Sequence, residues 1–446
     1  MTMRRRLHAL SRKRQISTRL LQATLALTFG LTLQAPLQAA TVDGEEVPLH
    51  HVSAEACKDC HKAIYKQWKG SMHAQSTALK DPIHGAFYKK LVGDPTKEGV
   101  TSKNGMYPVC LQCHAPNAAL DKKTKLDALP AYSEGINCVS CHSMAKYKGI
   151  HGKKGKFQLG VAAYEFSDQL QGPNGFLHEQ GAAADKLRAA IEDEGELNPH
   201  LGLDNSKQPY ITAEEAADLN LPMQQNATLQ SSDACLGCHD KRHNPKNTPL
   251  CQTGDEIAEG GSQETCQSCH MPVVNGVTSH AMGGGHDLGM LKRSVKMTLE
   301  ANASGDNASA KVTIKNLQPH NVPTGAPFRN MVLKVTALDA KGNVLWQNYQ
   351  KHPAKEDPQA FFVYTMTDDS GQPAPPPQAT QVGKNTRLKP FEERVLSYDF
   401  TVKGRVDSVR AELFYNLLWP GLVKQMKALP DELKAPKRIA WSEARL

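Results

Sequence analysis

The pattern Cys-x-x-Cys-His occurs five times in this chain of 446 residues and uses ten of its eleven cysteines. The cysteine pairs are Cys57 and Cys60, Cys110 and Cys113, Cys138 and Cys141, Cys235 and Cys238, and Cys266 and Cys269. The histidines that directly follow them are His61, His114, His142, His239 and His270. This pattern attaches haem c: both thiols form thioethers with the porphyrin, and the histidine becomes an axial ligand of the iron. The sequence therefore predicts five covalently attached haems c.

Other uses of paired cysteines fit this pattern less well. A zinc site also takes cysteines in Cys-x-x-Cys pairs, but it does not require a histidine directly after each second cysteine. A redox dithiol or a disulfide framework has no need of that histidine either. The eleventh cysteine, Cys251, stands outside every motif, and we expect it to be a buried, inert thiol.

The N-terminal 40 residues have the composition of an export signal. Residues 1–19 carry seven basic and no acidic side chains, an apolar run covers residues 20–33, and small residues follow at Ala39 and Ala40. The apolar run is shorter than an ordinary membrane span, so we expect a signal peptide over residues 1–40 and a periplasmic protein. Contact with the membrane is expected only if the signal stays uncleaved.

The basic net charge of the chain does not indicate a nucleic-acid partner. The formal net charge is +8, but seven of the positive charges lie within residues 1–19. The rest of the chain is therefore close to neutral, and the propionates of five haems would make the holoprotein acidic. We expect no binding of nucleic acid.

Two domains are predicted after the signal, since the remaining length exceeds one typical core. All five motifs lie in residues 41–290, which are rich in glycine, proline and lysine and poor in long apolar stretches. We expect a pentahaem domain of short helices and loops there, in which porphyrin faces supply apolar surface. Residues 291–446 contain no motif. The predicted fold class is α+β multidomain, with a mainly α and loop haem domain followed by an all-β domain.

The C-terminal region alternates between apolar and polar residues, which is typical of strands. The apolar positions are Val312 and Ile314; Met331, Leu333, Val335 and Ala337; Leu396, Tyr398, Phe400 and Val402; and Val409, Ala411, Leu413 and Tyr415. Residues 304–307 and 339–343 have the composition of hairpin turns. We therefore predict an antiparallel, immunoglobulin-like sandwich over residues 291–446.

Local signals predict a few details of the haem domain. His61, Ile64, Tyr65 and Trp68 fall on one face of a helix that Gly70 should end. A second helix is predicted over residues 182–194. The short separations between motifs two and three, and between motifs four and five, suggest that these haems are neighbours.

Twelve histidines lie outside the motifs and outside residues 1–40, which is enough for a second axial ligand on every iron. The candidates are His73, His280, His286, His320 and His243. His280 and His286 flank three glycines that would let the backbone approach a porphyrin, and no strand-to-helix context supports phosphate binding there. His320 either ligates a haem or braces its loop, and His243 either serves another haem or lies in solvent.

Several segments resemble the cytochrome c-554 and c-prime family. The segments are residues 57–73, 110–116, 134–142 and 266–272, together with Ser279-His280, Gly284-Gly285-His286 and residues 320–325. The resemblance extends roughly from residue 50 to residue 420 and implies a periplasmic electron carrier with His73 and His280 as distal ligands. The chain departs from the four-haem members of that family in its fifth motif and its added β region, so their partners cannot be transferred.

Two functions are compatible with the sequence. The first is a respiratory electron carrier that relays electrons between redox proteins, such as cytochromes or a membrane quinol oxidase or dehydrogenase, through closely spaced, mostly bis-histidine haems. The second is a multihaem reductase of nitrite, hydroxylamine or a sulfur oxyanion with one five-coordinate haem. Pentahaem nitrite reductases commonly carry a Cys-x-x-Cys-Lys motif, which is absent from this sequence, and the carrier is therefore favoured.

Overall fold

The structure, a computed structural model, describes residues 40–42, 45–59, 61–152, 156–173, 223–244, 246–274 and 277–446. These residues all belong to the unit Gln38–Leu446. Residues 1–39 of the predicted signal, the helix predicted over residues 182–194, and Cys60 lie outside the described residues.

Short helices dominate the part of the chain that carries the motifs. They are α1 (Glu55–Lys58), α2 (Lys62–Lys69), α3 (Pro82–Leu91), α4 (Leu111–His114), α5 (Pro116–Leu120), α6 (Pro130–Ser133), α7 (Cys138–His142), α8 (Asp233–His239), α9 (Thr253–Gly260), α10 (Cys266–His270) and α11 (Leu288–Arg293). The 3₁₀ turns are Leu49–His51, Gly160–Ala163 and Ala227–Gln230. The prediction for α2 is confirmed: the helix ends at Gly70 and buries Trp68.

Small two-stranded pairs connect these helices. The strands are β1 (Ala40–Val42), β2 (Glu45–Val47), β3 (Met144–Tyr147), β4 (Tyr164–Phe166), β5 (Leu170–Gly172), β6 (Met223–Gln225), β7 (Arg242–His243), β8 (Pro249–Cys251), β9 (Val273–Val274) and β10 (Val277–Thr278). Each strand pairs with its neighbour in the chain: β1 with β2, β3 with β4, β5 with β6, β7 with β8, and β9 with β10. Among these described strands, the β5–β6 pair is parallel and the other pairs are antiparallel. The buried apolar residues here form several small clusters.

Long antiparallel strands follow α11. They are β11 (Val295–Ser304), β12 (Asn307–Asn316), β13 (Asn330–Leu338), β14 (Val344–Gln347), β15 (Phe361–Thr367), β16 (Gln381–Asn385), β17 (Glu393–Thr401), β18 (Ser408–Asn416) and β19 (Lys437–Arg445). The helices among them are α12 (Pro353–Glu356), a 3₁₀ turn at Pro358–Ala360, α13 (Pro420–Gln425) and α14 (Asp431–Lys434). One sheet has the order β11-β12-β17; the other has the order β16-β15-β13-β18-β19, with β14 beside β13.

The strand predictions for this region are confirmed. The predicted alternation places Val312 and Ile314 in β12 with no exposed surface. The turn at residues 304–307 is a two-residue hairpin loop in which Ser304 pairs with Asn307 and Gly305 has φ 60°. The fold is thus α+β, with helices that carry the motifs and open antiparallel sheets after them.

Both sheets contribute to one apolar core, and helix α3 reaches into it. Val312 of one sheet and Leu333 and Leu413 of the other belong to the same cluster of buried side chains. Ile83 of α3 belongs to this cluster as well, and Phe87 of the same helix packs against the cluster. The contact between α3 and this core fixes one helix of the motif-bearing region against the sheets.

Within the described residues, no helix combines the length and the apolar composition that crossing a membrane requires.

Candidate haem-binding site

Each described motif lies in or beside a short helix. Four of the motif histidines end helices α4, α7, α8 and α10, and His61 directly precedes α2. Side-chain caps start two of these helices: Asn137 accepts a hydrogen bond from the backbone N–H of Ser140, and Thr265 accepts one from Ser268. A helical motif places its two cysteines three residues apart on one face, with the histidine beside them.

Three motif histidines make the same kind of hydrogen bond through Nδ1. The Nδ1–H groups of His114, His142 and His270 donate to the carbonyl oxygens of Ser76 (3.0 Å), Gln171 (2.7 Å) and Gly283 (2.7 Å). A proton on Nδ1 leaves Nε2 with a bare lone pair, and a hydrogen bond of this kind orients a metal-ligating imidazole. In each of them Nε2 is therefore the nitrogen suited to a metal.

Three motif histidines face a second histidine at similar separations. The ring centroids are 6.2 Å apart for His239 and His73, 6.4 Å for His142 and His280, and 6.5 Å for His270 and His320. Two metal–nitrogen bonds of about 2 Å, with about 1 Å from each nitrogen to its ring centre, give roughly 6 Å. The three separations thus match two imidazoles on opposite sides of one metal.

The second histidines of these pairs are also oriented by local contacts. The Nδ1–H of His280 donates to the carbonyl of Thr278 (2.9 Å), and that of His320 donates to Asn321 (2.9 Å). Nδ1 of His73 lies 2.6 Å from Sδ of Met282. In each case Nε2 is the nitrogen that remains for a metal.

A fourth pair joins His114 to His84, a residue that the sequence did not single out. Their rings are 4.0 Å apart at 33° and must separate by about 2 Å to admit a metal between them. The Nδ1–H of His84 donates to the carbonyl of Ser76 (2.8 Å), which also accepts from His114. Nε2 of His84 is buried and has no hydrogen-bond partner among the described residues. A buried bare imidazole nitrogen is costly unless a metal binds it, so this donor set fits a haem iron.

Helix α3 positions His84 through its first turn. The carboxylate of Asp81 caps the helix by accepting from the N–H of Ile83, and Pro82 occupies the first helical position. Gly85 brings the helix close to Ala78, whose carbonyl oxygen would lie only 2.6 Å from an added Cβ. His84 therefore faces inwards from a helix that cannot shift outwards without losing these contacts.

Burial keeps these imidazoles neutral. It lowers the pKa of His73 and of His84 to about 4 and that of His239 to about 3. The guanidinium of Arg242 lowers the pKa of His84 and His239 further. A neutral imidazole keeps the lone pair that a metal needs.

A buried carboxylate holds the loop of His320. Glu256 of α9 accepts hydrogen bonds from the backbone N–H of Asn321 (3.3 Å) and the hydroxyl of Thr324 (2.5 Å). It also pairs with the guanidinium of Arg387 at 2.8 Å, and side-chain exposure is only 5% for Glu256 and 10% for Arg387. The loop that presents His320 is thereby fastened to both α9 and the strand region.

Contacts between motifs indicate which of them are neighbours. The sulfur atom of Cys235 lies near that of Cys266, that of Cys57 near that of Cys138, and that of Cys113 near that of Cys238. Motifs four and five are therefore adjacent, as predicted. Asn117, which follows motif two, contacts motif three: its side-chain oxygen accepts a hydrogen bond from Ser140 Oγ (3.0 Å). The contacts of motif one with three, and of two with four, were not predicted.

The other candidate residues lie outside the four pairs. The ring of His243 stacks on Phe157 at 4.5 Å. His286 lies near the positive charges of Arg329 and Lys437. Its pKa is lowered to about 4, mainly by burial and to a smaller extent by these two charges. The thiol of Cys251 is buried, as predicted, and donates to the carbonyl of His239.

The chain is similar to known cytochromes. The family model for cytochrome c554 and c-prime matches residues 56–143. Cytochrome c-554 of Nitrosomonas europaea is 28% identical over 102 residues, which cover 22% of this chain and 41% of that protein. A penta-haem cytochrome c552 from Thermochromatium tepidum, solved by crystallography, is 53% identical with a TM-score of 0.80; the match covers 90% of this chain and all of that one.

Proposed function

Because this chain belongs to the multihaem c-type cytochromes and carries five covalently attached haems c, we propose that it is a periplasmic electron carrier with mostly bis-histidine irons. Bound haem supplies one-electron chemistry at its iron. The protein supplies the axial ligands, their orientation and the exclusion of water.

The four histidine pairs are the observation that carries this proposal. We assign His84 as the distal partner of His114, His280 as that of His142, His73 as that of His239, and His320 as that of His270. Two imidazoles on one iron leave no open position for a substrate. Such a site suits electron transfer better than reduction of a small molecule.

Carbonyl groups hold six of these eight histidines in place, namely His84, His114, His142, His270, His280 and His320. Each Nδ1–H···O=C hydrogen bond fixes the ring angle and the tautomer, so the ligand does not reorganise when the iron charge changes. Burial keeps the surroundings apolar, which disfavours the extra positive charge of ferric iron. Two imidazole ligands favour a low reduction potential and apolar burial raises it, so we expect low potentials that are graded among haems with different surroundings.

We also propose that residues 291–446 form an immunoglobulin-like sandwich and a domain of their own. The proposal is supported by the antiparallel order of both sheets and by the buried cluster to which both contribute. His320 then connects this domain to the haem of the last motif.

The proposed partners are other redox proteins, among them cytochromes or a membrane quinol oxidase or dehydrogenase. The near-neutral remainder of the chain gives no support for nucleic-acid binding. The basic and apolar N-terminal residues support export to the periplasm.

Export predicts a processed protein with a defined mass. The protein isolated from the periplasmic fraction should start near Thr41 and carry five haem additions that survive denaturation, because thioethers are covalent. Intact-mass spectrometry with N-terminal sequencing measures both. A chain that keeps residues 1–40 in the membrane fraction would contradict the periplasmic assignment.

Ligand binding decides between the carrier and the reductase. The four paired irons have both axial positions filled, and a carrier needs no open position at the fifth, so the Soret band of the reduced protein should not change when carbon monoxide is added, and nitrite and hydroxylamine should not be consumed. Stoichiometric carbon monoxide binding at one haem together with turnover of nitrite or hydroxylamine would instead establish the reductase.

A further inference from the structure

Two adjacent histidines outside the four pairs converge on one carboxylate. Nε2 of His50 lies 2.8 Å from Oδ1 of Asp121, and Nε2 of His51 lies 2.5 Å from Oδ2. The hydroxyl of Tyr132 donates to the same carboxylate and lies 3.3 Å from Nε2 of His51. The three ligand atoms of the two histidines and the aspartate all lie within 4.8 Å of one another.

The backbone explains why both imidazoles reach the same point. His50 and His51 are consecutive in the 3₁₀ turn Leu49–His51, where neighbouring side chains point about 120° apart. Both can contact Asp121 only because its carboxylate lies between them. The rings meet edge to face with centroids 4.5 Å apart.

The end of helix α5 fixes Asp121 in that place. Lys122 has φ 55°, a left-handed conformation, and its N–H donates to the carbonyl of Ala119 (3.1 Å). Tyr132, which is 3% exposed, orients the carboxylate from α6. The ligand atoms therefore come from two elements, the 3₁₀ turn and the end of α5, and Tyr132 of α6 holds the carboxylate of Asp121 in place.

We propose that His50, His51 and Asp121 form a binding site for one divalent transition-metal cation. Two imidazole nitrogens and one carboxylate oxygen are the donor set that Zn²⁺ accepts with a water in the fourth position. With the proton of each ring on Nδ1, both Nε2 lone pairs point at the cation, and the cation offsets the charge of the carboxylate.

The cation would fasten the start of the haem region. It would join the turn at residues 49–51 to helices α5 and α6. The next residue, Val52, accepts a hydrogen bond from Asn137 (3.1 Å), which caps the helix of the third motif. Binding would therefore stabilise the segment that supports this motif, and it needs no change at any haem iron.

The test uses the five-haem holoprotein, stripped of metal with a chelator and titrated with Zn²⁺ alone by calorimetry. We expect one site with micromolar or tighter affinity. Asp121→Asn and His51→Gln should weaken it by roughly 100-fold or more, because each removes a ligand. His352→Gln is the matched control, since His352 is exposed and lies far along the sequence in the strand region; its affinity should equal that of the wild type.

Other outcomes would overturn the proposal. Without one saturable Zn²⁺ site in the wild type, or with equal affinity in Asp121→Asn, the cluster is only a hydrogen-bonded structural contact. If His50→Gln or His51→Gln changes the haem spin state, that histidine is a haem ligand instead. Unchanged haem spectra in variants that lose Zn²⁺ would support the separate site.

Discussion

Replacement of His84 by alanine should convert one of the five haems, the one attached at the second motif, from low spin to high spin. The iron would keep His114 and lose its second imidazole. Loss of that donor destabilises ferric iron, so the potential of this haem should rise by on the order of 0.1 V, a fraction of the roughly 0.8 V that axial ligation spans. Low-field electron paramagnetic resonance and a spectroelectrochemical titration measure the two effects.

The control for this substitution is His352→Ala, which removes an exposed imidazole and should leave all five haems unchanged. The reduced His84→Ala protein should also gain one carbon monoxide site, since a coordination position opens. A folded His84→Ala protein with the wild-type spectrum would remove His84 from the ligand assignment and leave its buried Nε2 unexplained.

The substitution Glu256→Gln should cost about 3–5 kcal/mol of stability, because it removes one partner of a buried ion pair and leaves Arg387 without its counter-charge. The hydrogen bonds that Glu256 accepts from Asn321 and Thr324 would also weaken. Because these residues directly follow His320 in its loop, we expect the haem of the fifth motif to be the first to change its absorption on heating. Thermal unfolding followed at the Soret band and in the far ultraviolet measures the loss.

The same helix offers a matched control. Glu259 pairs with Lys389 at 3.1 Å, but both side chains are more than half exposed. An exposed pair contributes about 0–1 kcal/mol, so Glu259→Gln should have little effect. Equal losses in the two variants would mean that the burial of Glu256 has no energetic consequence and that its link to His320 is unimportant.

The strands could be predicted because their signal is local. Alternation at positions such as Leu396, Tyr398 and Phe400 follows directly from a strand with one face in the core. The hairpin turns could also be predicted from local sequence, because each contains a glycine, Gly305 or Gly342, that takes the positive φ such turns require. The motifs are equally local, which is why five haems could be predicted from the sequence.

The histidine pairs could not be predicted, because their members are distant in sequence. Nothing near His73 indicates that it faces His239, or that His142 faces His280. A local signal for His84 did exist: Asp81 and Pro82 start a helix whose buried face carries His84 and Tyr88, four residues apart. A histidine on the buried face of a helix can be recognised as enclosed, but the identity of its partner depends on tertiary packing.

The position of helix α3 limits how this protein can be rearranged in evolution. One face of the helix gives Ile83 to the core shared by the sheets, and Phe87 stacks on Phe328 with ring centroids 5.5 Å apart. The other face presents His84 to His114. Exchange or deletion of the strand region would thus disturb the helix that carries His84, the proposed ligand of the second haem, as well as His320. The C-terminal region is therefore not a removable module: a lineage that lost it would lose His320 and also the core contacts that hold the helix of His84.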